Sequence, residues 1–211
     1  MGLFEWLGFS YHLSLLRSEC PFNSSQFFLN FAGLKSMTQK RIALISTGGT
    51  IEKTYDELHG IMTNKLSNLD VMMATLEVRG IDINRVSLMN KDSIEMTDED
   101  HDQIIENASV HSRYHDGVVI IHGTDRLAKT GKLMFEKIGT PKTPIVLTGA
   151  MRPFALKNTD AMQNLAESLL AVQILAPGIY VVMHNKVLKF PGVTKDRSRG
   201  TFVKSTPSES D

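Results

Sequence analysis

The 211-residue sequence has one cysteine, one tryptophan and no net charge, with 23 Lys and Arg against 23 Asp and Glu. The lone Cys20 excludes an intrachain disulfide and fits a reducing compartment. Balanced charge removes the electrostatic case for nucleic acid or a membrane surface as partner. No stretch is long and apolar enough to cross a bilayer as a helix. GxxxxGK[ST] and GxGxxG do not occur, so nucleotide binding has little support. What is present is ordinary for a globular chain: 42% hydrophobic residues, and a length suited to one domain with tails. The eleven methionines point to adaptable core packing rather than to a cofactor site.

Residues 1–36 lack the basic start of a secretion signal, and Trp6 breaks the myristoylation pattern. They read as an extension outside the fold, or as an upstream start before Met37, in preference to a weak amphipathic anchor. The polar tail 205–211 reads as disordered. Between them, from Arg41, the pattern alternates. Short β-branched runs occupy 41–46, 83–89, 117–122, 144–149 and 178–184. Most are continuously apolar, as in strands buried on both faces. Helical spacing fills 66–78, 97–114, 126–138 and 159–175. The second helix opens with Thr97 and Asp100, close to a capping box; the third carries Leu127, Met134, Phe135 and Ile138 on one stripe; the fourth starts with a capping pair. The expectation is an α/β domain over 37–204, Rossmann-like, with three α/β/α layers and a mainly parallel sheet.

In such sheets ligands bind beyond the carboxyl ends of the strands. Those ends carry Ser46–Thr50, Asn90–Ser93, His122–Asp125, Gly149–Pro153 and, after the last strand, Thr194–Asp196. One rim would then hold several hydroxyls, a carboxylate, a lysine and exposed backbone N–H groups. That set suits attack on a carbonyl. A threonine hydroxyl needs a base to take its proton. A lysine serves as that base only if its pKa is lowered, and a nearby aspartate tends to raise it, so burial or hydrogen bonding must balance the pair. Glycines let backbone donors approach a developing oxyanion. Blander readings stand beside these. Paired glycines make tight turns or phosphate cradles, Thr124–Asp125 caps the next helix, and Lys195 is a solvated charge. His111 and His115 have metal-ligand spacing but no accompanying Cys or Glu motif, so a wet helix face is the better reading and no metal is assigned. Chemistry alone suggests an amide or acyl hydrolase.

The segments STGGTIEK, KDSIEMTDED, DGVVIIHGTDRL, PIVLTGAMRP, NTDAMQNLAESLLA and GVTKDRSRGTFVKS resemble, in this order, those of bacterial-type L-asparaginases and glutaminase-asparaginases. The resemblance covers about residues 40–204. It implies a cytoplasmic hydrolase cleaving L-asparagine, and in some members L-glutamine, to the acid and ammonia, with no metal or organic cofactor. By motif, Thr50 matches the threonine nucleophile. Thr124 and Asp125 match the second threonine and its neighbouring acid, and Lys195 completes that set. Ser93, after Asp92, matches the residue that binds the substrate α-carboxylate. Asp125 matches the partner of the α-amino group, and Gly49 leaves room beside the nucleophile. Tyr55 is the candidate for the family's assisting tyrosine.

Two departures shape the expectation. Arg126 stands where the family usually has threonine. Family members also continue into a C-terminal domain that closes the site across a dimer, whereas this sequence ends at Asp211. The leading expectation is a single-domain, homo-oligomeric asparaginase-like enzyme. The alternatives are the ammonia-generating subunit of a tRNA-dependent amidotransferase and a non-catalytic amino-acid-binding module.

Overall fold

The apolar runs become strands of one sheet. The computed structural model describes residues 39–205. The expectations for residues 1–36, for a start at Met37 and for the tail beyond Ser205 lie outside the described residues. Ser205 itself is tied in, its amide and hydroxyl both donating to the Gly192 carbonyl at 2.7 and 2.8 Å.

Five strands are parallel: β1 (Lys40–Gly48), β4 (Ile81–Lys91), β5 (Gly117–Ile121), β6 (Pro144–Thr148) and β7 (Gly178–Met183). Antiparallel β8 (Lys186–Lys189) follows β7 through His184 and Asn185, both in the left-handed region (φ 54° and 59°). The order is β4-β1-β5-β6-β7-β8. Two further hairpins stand apart from this sheet. One pairs β2 (Thr54–Asp56) with β3 (Ile61–Thr63); the other pairs β9 (Val193–Asp196) with β10 (Thr201–Lys204).

Successive strand side chains face opposite ways, and here both faces are apolar. Ala43, Ile45, Val118, Ile120, Ile145, Leu147, Ile179 and Val181 meet helices α2 (Asp98–Tyr114) and α3 (Leu127–Ile138). Ile42, Leu44, Val119, Ile121, Val146, Tyr180 and Val182 meet α1 (Leu69–Ala74) and α4 (Ala161–Ile174). Two cores on one sheet make the three-layer α/β/α fold expected from the alternation.

Helix starts differ in how well their caps are realised. Thr97 and Asp100 form a complete capping box at α2. At α4, Thr159 Oγ1 accepts from the Ala161 amide, while the carboxylate of Asp160, the N-cap residue, caps none of the helix's backbone amides. The helix expected over 66–78 shrinks to α1, where Leu69 and Met72 are buried and Val71 is exposed. Leu76 and Val78 still pack against this core, but outside the helix.

Candidate functional site

The register brings the motif loops together. Ser46 lies opposite Ile121, Ile121 opposite Thr148, and Gly48 opposite Lys91. Parallel neighbours leave a sheet at the same edge, so the segments after β1, β4, β5 and β6 emerge side by side. Their backbones then nearly touch. Gly49 has φ 82°, and a Cβ placed there would fall 2.3 Å from Gly123 Cα. A Cβ on Gly123 would fall 2.5 Å from Ser93 Oγ. Only glycines permit this approach, and it sets the turn leading into Thr50, the HGTD loop and Ser93 at contact distance.

The two threonines of TGGT part company. Thr47 is fully buried and donates to the Ile121 carbonyl at 2.8 Å, a structural bond. Thr50, half-buried, opens a single 3-10 turn, Thr50–Glu52. Glu52 is 0% exposed; its carboxylate accepts from Ser46 Oγ at 2.5 Å and from Ser67 Oγ. The turn beneath Thr50 is thereby tied both to the sheet and to the segment following β3.

Thr124 and Asp125 do not cap the next helix. Position N-cap of α3 belongs to Arg126, which makes no side-chain cap bond. The two side chains meet Lys195 instead. Lys195 Nζ donates to Thr124 Oγ1 at 2.8 Å and to Asp125 Oδ1 at 3.1 Å. Arg197 Nη1 lies 3.4 Å from the same Asp125 oxygen. Lys195 is delivered by β9, not by the sheet, and its cross-strand partner on β10 is Phe202, which is buried.

Ser93 is buried, with Oγ accepting weakly from the Arg126 amide at 3.4 Å. Asp92 Oδ1 accepts from the Ile94 amide, and Oδ2 meets Lys53 Nζ at 2.7 Å. Burial pushes the Asp92 carboxyl up, but Lys53 and the Ile94 amide outweigh it and hold it below the ordinary range. Tyr55 lies on β2, 64% exposed, with its hydroxyl over the hairpin turn at Gly60. The structure thus gathers Thr124, Asp125 and Lys195, sets Gly49 and Ser93 beside them, and leaves Tyr55 apart.

The family model for "Asparaginase, N-terminal" matches residues 41–206. The chain belongs to the asparaginase family. It is 31% identical over 160 residues to the L-asparaginase of Thermococcus kodakarensis, a match covering 76% of this chain and 49% of that protein. The structure of the thermostable L-asparaginase from that organism superposes with a TM-score of 0.71 at 33% identity, covering 78% of this chain and 51% of the other. A glutamyl-tRNA(Gln) amidotransferase component of Methanobrevibacter smithii is 32% identical over 152 residues, covering 71% of this chain and 35% of that one. The chain thus spans about half the length of these L-asparaginases and a third of the amidotransferase component.

This asparaginase-family site has supports that the sequence reading missed. His122 is fully buried, and burial lowers its pKa to about 4, so its ring is neutral. Its Nδ1 must donate to the Gly123 carbonyl at 2.8 Å, since a carbonyl only accepts. Its Nε2 therefore accepts from Thr130 Oγ1, also at 2.8 Å, and Thr130 accepts from His101 Nδ1 at 2.8 Å. This run of hydrogen bonds ends at His101 Nε2, buried and without a partner among the described residues. It fixes the peptide that packs on Gly49. A second support is Asp160, which accepts from the Met151 and Arg152 amides, Asn164 and His184 Nε2, each at 2.8–2.9 Å. Burial pushes that carboxyl up, and these donors bring it below its ordinary value. His184 Nδ1 in turn meets Thr201 Oγ1 on β10 at 3.1 Å. The loop after β6 is in this way joined to the hairpin that carries Lys195. Only the histidine within HGTD hinted at the first support; nothing in spacing hinted at the second.

Proposed function

We propose that the chain is an asparaginase-like amidohydrolase that converts L-asparagine and water to L-aspartate and ammonia. Thr50 Oγ attacks the side-chain amide carbon, the C–N bond breaks, and the amide nitrogen leaves as ammonia after taking a proton. Water then cleaves the resulting ester and restores Thr50. Thr124, Lys195 and Asp125 form the proton-handling group, in which Lys195 is already hydrogen-bonded to Thr124. Backbone N–H groups near Gly49 and Gly123 are the candidates for holding the oxyanion. Ser93 receives the α-carboxylate, with Asp92 beside it, and Asp125 faces the α-nitrogen. Tyr55 assists from its hairpin once substrate is bound.

The observation that carries this reading is the 2.8 Å contact between Lys195 Nζ and Thr124 Oγ1, made by residues 71 apart in sequence. Ammonia release from L-asparagine and L-glutamine, assayed in parallel at millimolar concentration, is the test. Thr50→Ala and Thr124→Ala are each expected to lower kcat at least about 100-fold, with binding of L-aspartate retained. Wild-type protein releasing no ammonia at any pH sinks the reading.

The similarity to the glutamyl-tRNA(Gln) amidotransferase component favours one second reading, an ammonia source for a tRNA-dependent partner; copurification of a partner protein or tRNA supports it. Binding without turnover would mark a non-catalytic amino-acid-binding module. The same proposal takes 37–204 as the catalytic domain, 1–36 and 205–211 as extensions, the cytoplasm as its place, and a homo-oligomer as its working form. Exposed Tyr55, Leu58, Ile61 and Leu66 around the β2–β3 hairpin favour association. A monomer mass in light scattering would remove that part.

A further inference from the structure

The rim carboxylates of Asp92 and Asp125 are already ion-paired. Asp92 is engaged by Lys53 at 2.7 Å. Asp125 Oδ1 lies 3.1 Å from Lys195 Nζ and 3.4 Å from Arg197 Nη1. The lysine contact has a second purpose, since the same ammonium holds Thr124. Arg197 is an added cation just past the end of β9, and its side chain is 76% exposed. A ligand ammonium that docks on Asp125 must move Arg197 aside or lie next to it. A ligand with nothing charged at that carbon meets no such conflict.

We propose that Arg197 sets the substrate class of this site. It narrows the advantage of L-asparagine over ω-amides of four-carbon dicarboxylic acids whose α-carbon bears no free ammonium, such as succinamate. The inference rests on the amidohydrolase reading for its chemistry, but not for its test. Arg197 is exposed enough to swing away, so L-asparagine still enters at a penalty. Repulsion between unit charges about 4 Å apart, screened as in water, corresponds to roughly a fivefold change in affinity. It shrinks as salt rises.

The probes are the two product-like acids, succinate and L-aspartate, titrated by calorimetry into the wild-type chain and into Arg197→Ala. Wild type is expected to discriminate only weakly between them. Arg197→Ala is expected to shift the ratio of the two Kd values toward aspartate by about fivefold at low salt, and by less at 0.5 M salt. A ratio identical in the two proteins overturns the inference, as does failure of both acids to bind wild type. Ammonia release from succinamate and L-asparagine is measured alongside. Release with an unchanged ratio removes Arg197 and leaves the hydrolase; a shifted ratio without release leaves the ligand selectivity and removes the hydrolase.

Discussion

The two hairpins beside the sheet differ in what holds them. The β9–β10 hairpin, which delivers Lys195, sends Val193 and Phe202 into the core shared with α2 and α3. The β2–β3 hairpin, which carries Tyr55, is held at its base by polar groups. Asn64 donates to the Gly49 carbonyl at 2.9 Å, Ser67 to Glu52, and Asn68 to the Lys53 carbonyl at 3.3 Å. Its outer part, with Tyr55, Leu58 and Ile61, lies in water. Apolar burial fixes a group in place; polar ties at a base leave the far end free to swing. The lysine is accordingly already on Thr124, and the tyrosine is not on Thr50.

The sharpest way to break this comparison is to empty the lysine hairpin's anchor. Phe202→Ala removes a side chain that is 1% exposed and is expected to cost about 3–5 kcal/mol in denaturant unfolding. Activity should fall with it, because Lys195 sits directly across the ladder. Ile61→Ala in the other hairpin should cost under about 0.5 kcal/mol. Similar losses from both would show that the tyrosine hairpin is packed after all.

Acid separates the two next. The buried His122 has its pKa lowered from 6.5 to about 4. Its unfolded form therefore takes a proton first as pH falls. The stability this provides is complete above pH 6.5 and is lost progressively down to about pH 4, amounting to about 3 kcal/mol. His101, in the same chain, is also lowered by burial and acts in the same sense. The tyrosine hairpin responds elsewhere. Lys65 and His59 hold the Asp56 carboxyl down at about 2, so that group keeps its charge throughout the same window. Chemical unfolding between pH 7 and 4 should show the slope, and a flat profile would refute the neutral-histidine account.

Glu52 is where the hairpins' difference touches the turn of Thr50. Glu52→Ala leaves the buried Ser46 hydroxyl without its acceptor, releases exposed Ser67 to water, and is expected to cost about 2 kcal/mol. Glu52→Gln keeps an acceptor and a donor for rotatable hydroxyls and should recover most of that loss. If Gln is as harmful as Ala, the negative charge itself matters, beyond the geometry it holds.

The legible parts of the chain were those where one signal suffices. Continuous apolar runs gave β1 and β5–β7 because burial on both faces leaves no polar alternation to confuse, whereas β4, a partly exposed edge strand, showed only as a short β-branched run. The hydroxyls, acid and lysine at the strand ends could be placed on one rim, and Thr124, Asp125 and Lys195 do meet there. Strands such as TYD, KVLK and VTKD were not read, because three or four mixed residues carry no period. Glu52 was invisible for another reason. A charge in a sequence reads as solvated, and its burial depends on two serines, one 6 residues before it and the other 15 after. Asp160 looked like a cap, but amides from the preceding loop outcompete its own helix.

The smallest change to the fold should come from Tyr55→Phe. The hydroxyl lies over Gly60, in water, so unfolding free energy should stay within about 0.5 kcal/mol of wild type. Turnover is a different matter. If the hairpin folds over bound substrate, the hydroxyl arrives at Thr50 only in the complex, and its removal should lower kcat by about 100-fold while KM changes little. The polar base permits that motion: Asn64, Ser67 and Asn68 anchor the segment at one end only. A kcat unchanged by Tyr55→Phe would leave the hairpin as a wall of the pocket and assign proton handling to Thr124 and Lys195 alone.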